Sequence, residues 1–495
     1  MKKITYILLL CVISFSCTSE VDDDVTGANS ATGDGWFTGL DLPFADKTGY
    51  PYKSDKMTTA TLSINTSSKF TANNLLLGAN FGGFSSNEEK EIIRFLKPVT
   101  VHFPNGVWAN WYNWEKDISE YDATDSYDIG DFHRGVMDDW AANNTTTGFP
   151  GMKTLHDELA FNTLFTYNVN YDSPAKSLER LKDREAKGFD VQYVELGNEQ
   201  YFEDQRAGRT SSTIFFGRFA SQIATALKNE KPNLKIAVPY GWRDNEDAAY
   251  NLQVGFFGKS FYDAISLHRN IEVENTTEDV VKSPDAYKTI LNSRLTLKES
   301  SDFALSFLGE DQKPIWLSEW GVSCGLNAAS FLGQADVYMY LFENQDLYER
   351  AEWNGLLDEN PMYTFEGDKS LANMKKTGYG AVYEITRDVF ENSEVYESTI
   401  STRILDTDVN AVEAKAVTKN GETIVYAVNK TVRSVPFRVK VDGVVSDASK
   451  KHEALSFDSL QDNKLLNMDE SPLTLINEGT EIIVLPPLSV NKISF

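Results

Sequence analysis

The chain has 495 residues and a formal net charge of −26, from 47 basic and 73 acidic side chains. That balance argues against a nucleic-acid partner, because phosphate contacts need clustered Lys and Arg. It also disfavours an extensively anionic polymer unless a local basic pocket overrides the field. The length is ample for one large domain and a smaller one.

Lys2 and Lys3 precede an apolar run from Ile4 to Phe15 that ends at Ser16-Cys17. A short basic segment followed by a short apolar one reads as a signal peptide. It falls short of the roughly 20 residues that span a bilayer. A cysteine directly behind it suggests a lipoprotein signal over residues 1–17, with Cys17 acylated as the first mature residue and a lipid anchor in the membrane. Ser14-Phe15-Ser16 departs from the usual lipobox, which has an aliphatic residue three before the cysteine, so ordinary secretion is the alternative. Residues 18–40 open acidic and continue rich in Gly, Ser, Thr and Ala, a flexible tether with nothing to bury. The acidic start resembles the export signal of Bacteroidetes surface lipoproteins, which implies the cell envelope, on the outer face of the outer membrane. Of the three cysteines only Cys324 then remains in the folded part, so no intrachain disulfide is expected.

In chain order, residues 41–73 form an N-terminal segment whose alternating stretch, Thr59 to Phe70, reads as a strand that partly joins the C-terminal domain. From 74 to 390 strand-like and helix-like runs alternate. The strands begin at Asn74, Val99, Leu164, Val191, Leu234, Tyr262 and Pro314. Between them lie helical stretches at Glu88–Leu96, Gly130–Ala142, His156–Phe161, Ser173–Lys187, Ser211–Lys228, Asp285–Leu308 and Ser330–Asp346, with a mixed segment at Tyr250–Phe257. An eighth strand is placed at Glu352–Leu357, or else at Met362–Phe365. This order and length fit an α/β fold, a (β/α)8 TIM barrel. A doubly wound open sheet is the runner-up, weakened by the lack of a Gly-x-Gly-x-x-Gly turn after an early strand. Residues 391–495 carry short strands split by Asn-Gly, Asp-Gly and Pro turns and read as a β-sandwich.

Two segments carry chemistry. Val191–Tyr201 and Pro314–Gly321 are apolar runs that end in Glu199 and Glu319. Two carboxylates facing one glycosidic bond are the minimum machinery of glycoside hydrolysis; in a retaining enzyme they sit about 5–5.5 Å apart. Glu199 is the expected acid/base and Glu319 the expected nucleophile. Asn198 is placed to orient a sugar hydroxyl, and Trp320 to floor a subsite. Glu195 competes with Glu199, or else points into the barrel wall or a hydrogen-bond network. His102, Asn170 and His268 follow their strands and would gather on the same rim. Trp108, Trp111 and Trp114 lie beyond the second strand, as sugar platforms or as a packed loop. Arg269 would meet a sulfate or uronate, or form a surface ion pair. Phe84 with Gly82-Gly83 would line the cleft.

Leu196-Gly-Asn-Glu199 and Leu317-Ser-Glu-Trp320 resemble the fourth- and seventh-strand motifs of clan A retaining glycoside hydrolases. Val101-His-Phe-Pro-Asn-Gly-Val-Trp-Ala-Asn-Trp111 is similar to the second-strand region of the α-L-arabinofuranosidase, heparanase-like and β-agarase group. Ser266-Leu-His268 resembles that group's sixth-strand region. The resemblance covers residues 55–495. It implies a strand-four acid/base at Glu199 and a strand-seven nucleophile at Glu319. His102 replaces the group's usual Arg, Asn105 its first Gly and Asn270 its Tyr, which points to a different substrate pocket. The expected partner is a polysaccharide or its oligosaccharides: an algal galactan such as agarose or porphyran, a uronate-containing glycan, or an arabinose-bearing hemicellulose. The alternatives are an exo-acting α-L-arabinofuranosidase or glucuronidase, a non-catalytic glycan-binding lipoprotein, and a polysaccharide lyase. With five histidines, none in His-Glu-x-x-His spacing, and no cysteine pair, no metal or cofactor is expected.

Overall fold

A computed structural model describes residue 36 and residues 42–495, apart from 53–57, 81–83, 85, 126, 128, 274–281, 356–359, 407, 449, 480 and 481. The signal segment, Cys17, the tether other than Trp36, and the Gly82-Gly83 pair lie outside the described residues.

Eight parallel strands close into a barrel. In order they are Gly78–Asn80, Thr100–Phe103, Asn162–Tyr167, Tyr193–Leu196, Lys235–Pro239, Ala264–Glu272, Ile315–Ser323 and Tyr348–Asn354. The eighth begins at Tyr348, earlier than the expected Glu352. Within it Arg350 and Glu352 are fully buried and paired at 2.8 Å. The alternative segment instead forms Tyr363–Phe365, paired with Met374–Thr377 in a small separate sheet.

Helices surround the barrel. Several open on side-chain caps that satisfy their first free N–H groups: Ser86 with Glu89 as a capping box, Ser173 before Pro174, Ser212, Ser283 and Asn327. The mixed segment before the sixth strand is a helix, Asp244–Phe256. The stretch read as one helix from Asp285 divides at Asn292 into Pro284–Leu291 and Ser293–Ser306. Two helices, Asp131–Asn143 and Phe149–Leu159, are inserted between the second and third strands.

The N-terminal strand Ala60–Thr71 lies between Val435–Val441 and Glu394–Thr402 in a ten-stranded sheet, so the segment before the barrel joins the C-terminal layer. One face of that sheet shares a core that includes Leu62, Val412, Val425, Phe437 and Ile493. Tyr426, Val428 and Val490 belong to the main core together with residues of the helices Ala328–Glu343 and Gly378–Phe390. A buried ion cluster crosses this junction. Asp336 lies 2.6 Å from Arg294 and 3.0 Å from Lys430, and Glu413 lies 3.4 Å from Arg294.

The barrel interior carries a polar layer above an apolar one of Leu164, Ala237, Ala264 and Trp316. Side chains alternate inward and outward along each strand, and alternate strands contribute to common layers. His102, Glu195 and His268, from strands two, four and six, meet in one such layer. Gly78 is required in the first strand because a Cβ there would stand 2.5 Å from both Ala351 O and Thr100 Cγ2. Gly78→Ala should lower stability by about 1–3 kcal/mol, read as a lower urea midpoint at unchanged slope.

Candidate active site

The fourth strand ends in an unusual turn. Gly197 has φ +77° and Glu199 φ +42°, a region that costs a side-chain-bearing residue of order 1–3 kcal/mol. Asn110, fully buried, clamps the peptide between them: Asn198 N–H donates to Asn110 Oδ1 at 2.9 Å, and Asn110 Nδ2 donates to Asn198 O at 2.8 Å. The turn lifts Glu199 off the strand line and into the barrel mouth.

On the seventh strand a register shift does comparable work. Trp316 packs edge-on against Tyr193 of the fourth strand, and Ser318 bonds to His268 and Glu195, so both face the barrel interior. Unbroken alternation would then turn Trp320 inward and Glu319 outward. Pairing with the sixth strand shifts between Trp316 and Glu319, and such irregularities re-aim side chains beside functional sites. Glu319 therefore faces the interior. Trp320 faces the helix layer, 1 % exposed and edge-on to Tyr338 and Trp353. The expected sugar floor at Trp320 is corrected: it is a core residue.

The two glutamates converge. One oxygen of Glu199, one of Glu319 and a ring nitrogen of His268 lie within 4.8 Å of one another. His268 Nδ1 is 3.3 Å from Glu199 Oε1 and 3.6 Å from Glu319 Oε2. Its Nε2 is 3.0 Å from Ser318 Oγ and 3.3 Å from Glu195 Oε1. The other Glu195 oxygen lies 3.1 Å from His102 Nε2, whose ring faces Glu319 at 4.0 Å through Nδ1. Glu195 is thus a buried fork that holds two imidazoles, each turned by its far nitrogen toward the pair. Gly106 N–H donates to Glu319 Oε1 at 2.9 Å; Tyr201 OH at 3.1 Å and Gln205 Nε2 at 2.6 Å donate to Glu199. The same three side chains, Glu199, His268 and Glu319, have the donor types of a divalent-cation site, although their mutual contacts already account for the arrangement.

Charge is distributed unevenly. Burial raises the Glu195 carboxyl, but hydrogen bonds and positive charge from His102 and His268 outweigh it and hold it far below the usual range. Burial disfavours the His268 imidazolium, yet the negative charge of Glu319 and hydrogen bonds from Glu195 and Glu199 push its pKa well up. Burial also opposes ionisation of Glu199, but His268 overcomes it, helped by Gln205 and Tyr201, so Glu199 is lowered. Glu319 is raised, by burial first and by the Glu199 charge against the pull of His268. Of the two, Glu319 is therefore the carboxyl that holds a proton more readily.

Asn110, fixed by the Asn198 peptide, donates to Gln205 Oε1 at 3.0 Å, which turns the Gln205 nitrogen toward Glu199. The Asn198 side chain has two orientations. Its nitrogen faces Gln205 Oε1 at 3.0 Å, or, turned over, faces Glu319 Oε1 and Gly106 O, both at 3.3 Å. The first sets its oxygen against Glu319 Oε1 and Gly106 O, and the second sets it against Gln205 Oε1. Turning the amide over would stabilise Glu319 as an anion.

The remaining predicted residues are dispersed. Asn170 is fully buried and holds the strand-four loop by donating to Gln205 O at 3.1 Å; it is corrected from a sugar contact to a loop brace. Arg269 points outward, 3.8 Å from the Trp242 ring centroid, and donates to Ser300 Oγ and Asn270 O. Burial pushes it down to about 10. It is corrected from an anion contact to a packing residue, because it follows the inward His268 by one position. Trp111 is fully buried against His133, and Phe84 against Phe103, so neither lines a cleft. Trp114 packs against the main core. Trp108 is half-buried beside Trp140. Asn110, Tyr201, Gln205 and Gly106 touch the pair or its turn and escaped the sequence reading. Asn110 and Gly106 lie inside the quoted second-strand motif, the one signal that pointed to them.

The fold and the placement of the pair define a closed eight-stranded α/β barrel with a C-terminal β layer and glutamates at the exits of strands four and seven. No protein-family model and no curated protein matches the sequence. Solved structures match in fold. A family 51 arabinofuranosidase from Xanthomonas axonopodis pv. citri is 15% identical with a TM-score of 0.65, covering 88% of this chain and 99% of that one. The Thermotoga maritima α-L-arabinofuranosidase is 14% identical at 0.67, covering 88% and 100%. A family 44 xyloglucanase from Paenibacillus polymyxa is 12% identical at 0.61, covering 88% and 99%. The chain shares the fold of these glycoside hydrolases.

Proposed function

We propose that the protein is a retaining glycoside hydrolase acting on an extracellular, neutral polysaccharide or its oligosaccharides. The observation that carries this is the approach of the Glu199 and Glu319 oxygens to within 4.8 Å. That supports a nucleophile paired with an acid/base over an inverting pair, whose carboxyl groups stand about 6.5–9.5 Å apart. Glu199 also keeps 22% of its side chain exposed, so a glycosidic oxygen can reach it. A non-catalytic glycan binder would need neither feature.

Strand position makes Glu319 the nucleophile and Glu199 the acid/base, so a proton held by Glu319 has to pass to Glu199. His268 supplies the route: Nδ1 gives its proton to Glu199 and recovers one from Glu319. The net result is Glu199 protonated and Glu319 ionised, with His268 still cationic. Rotation of the Asn198 amide then stabilises the Glu319 anion. Glu319 attacks the anomeric carbon as Glu199 protonates the departing oxygen. Glu199, now a base, takes a proton from water, which displaces Glu319 and regenerates it.

A neutral glycan is favoured because the arginines near the pair are engaged elsewhere: Arg206 bonds to Gln200 O, Arg243 pairs with Asp247, and Arg269 is turned away over Trp242. The neighbours named as arabinofuranosidases and a xyloglucanase put arabinosyl glycans and xyloglucan first in a screen, with agarose beside them. Product analysis on that panel tests the reading: cleavage lost in both Glu199→Gln and Glu319→Gln supports it, and cleavage retained in both overturns it. The proposal includes export and lipid attachment through Cys17, supported by the sequence; fatty-acid labelling lost in Cys17→Ala would test that part.

A further inference from the structure

The helix Asp131–Asn143 buries His133 and Met137, half-buries Trp140 on that same face, and carries Phe132 at its exposed flank. Phe132 is 71% exposed. Trp108 joins them, its ring centroid 4.5 Å from that of Trp140 and 6.5 Å from that of Phe132, at tilts of 56° and 39°. His133 supports the group from behind, edge-on to Trp108 at 5.8 Å and against the buried Trp111 at 5.3 Å. Trp108 packs from below against the small core of Trp111, Ile129 and Met137, while Phe132 leaves the group open to solvent.

Its position ties it to the paired glutamates from two sides. Trp108 follows Gly106 by two residues, which keeps their Cα atoms within about 7 Å, and Gly106 N–H holds Glu319. On the other side, the strand-four exit loop that supplies Gln205 to Glu199 meets the same structure. Asp204 Oδ2 lies 4.0 Å from His133 Nδ1, and Tyr127 OH donates to Glu203 O at 3.0 Å. The ring cluster therefore adjoins both segments that hold the carboxyls.

We propose that Trp108, Phe132 and Trp140 form a glycan-binding shelf that holds neutral sugar units next to the one being cleaved, so that the protein works on a chain rather than on a lone terminal sugar. The proposal rests on the hydrolase reading. Flat rings bury the apolar faces of sugars without fixing their hydroxyls, and the mutual tilts suit successive units of a twisted chain. The helix contributes Asp131, Asp138 and Asp139, and Asp204 stands beside it, while Arg134 lies over the Tyr121 ring. That acidic setting repels uronates and sulfates and selects an uncharged chain.

The test uses Phe132→Ser, Trp140→Ala and Trp108→Ala in the full chain. Phe132→Ser removes an exposed ring, so its folding is secure and it remains decisive if either tryptophan variant is unstable. Mobility is followed in native gels containing xyloglucan, arabinan or agarose, and kcat and KM are measured on oligosaccharides of increasing length from whichever polymer is cleaved. Retardation should weaken in the shelf variants and persist in Glu319→Gln. On the longer oligosaccharides KM should rise about tenfold while the shortest substrate is cleaved at the wild-type rate. Wild-type retardation and KM in Phe132→Ser, an equal loss at every length, or no retardation by any of the polymers would overturn the shelf. Cleavage with an idle shelf would leave the hydrolase standing. Shelf-dependent retardation without cleavage of any glycan would confirm the surface and overturn the hydrolase instead.

Discussion

Glu319→Gly should lose turnover to background, a fall of at least about 10⁴-fold, and sodium azide should restore it on an activated aryl glycoside of the sugar found in the product screen. Azide would enter the space left by the carboxylate and attack the anomeric carbon directly, giving a glycosyl azide of inverted configuration. Glu199→Ala should lose about 10²- to 10⁴-fold on substrates with poor leaving groups and much less on the activated one. There the glycosyl-enzyme on Glu319 should still form, and azide should release it with retained configuration. The two stereochemical outcomes assign the two roles. The reversed pattern would make Glu199 the nucleophile, which the resting charge order would favour: Glu199 is depressed beside His268, Tyr201 and Gln205, and Glu319 is raised by burial and by Glu199.

Glu195→Gln should damage stability and catalysis together. Glu195 is fully buried, and each of its oxygens faces an imidazole. A glutamine has one acceptor oxygen and would set its NH2 group against the second imidazole, leaving buried charge unpaired at about 3–5 kcal/mol. The pH dependence separates this from ordinary loss of packing. Glu195 is depressed in the folded protein, so its contribution is full above its ordinary value of 4.5 and is lost as pH falls through the depressed value. His268 is raised, so its contribution is full below its ordinary value of 6.5 and fades as pH rises through the raised one. The stability gap between wild type and Glu195→Gln should therefore be widest between about pH 4.5 and 6.5 and narrow on either side. A gap constant from pH 3 to 9 would sink the account. Glu195→Asp keeps the charge at shorter reach and should recover part of kcat where glutamine does not.

The sequence by itself determined the alternation of strands and helices, because the apolar runs and their polar exits are local. It also determined that Glu199 and Glu319 close two such runs and that the Ala60–Thr71 strand belongs with the C-terminal sheet. It could not determine which way a side chain faces where the backbone departs from its period. Trp320 and Glu319 are neighbours, and only the shift in pairing between the sixth and seventh strands turns the glutamate in and the tryptophan out. Nor could the sequence fix the start of the eighth strand, which begins at Tyr348 and takes in Arg350, a charge that barrel closure buries only by pairing it with Glu352. Asn110 and Gln205 are distant from Glu319 in the chain and acquire their roles only when the loops after strands two and four meet. The proton count of the site is likewise a tertiary property. It depends on how many carboxylates and imidazoles the barrel brings into one buried layer, and electrostatic energy there is set by distance and burial, neither of which is written in residue order.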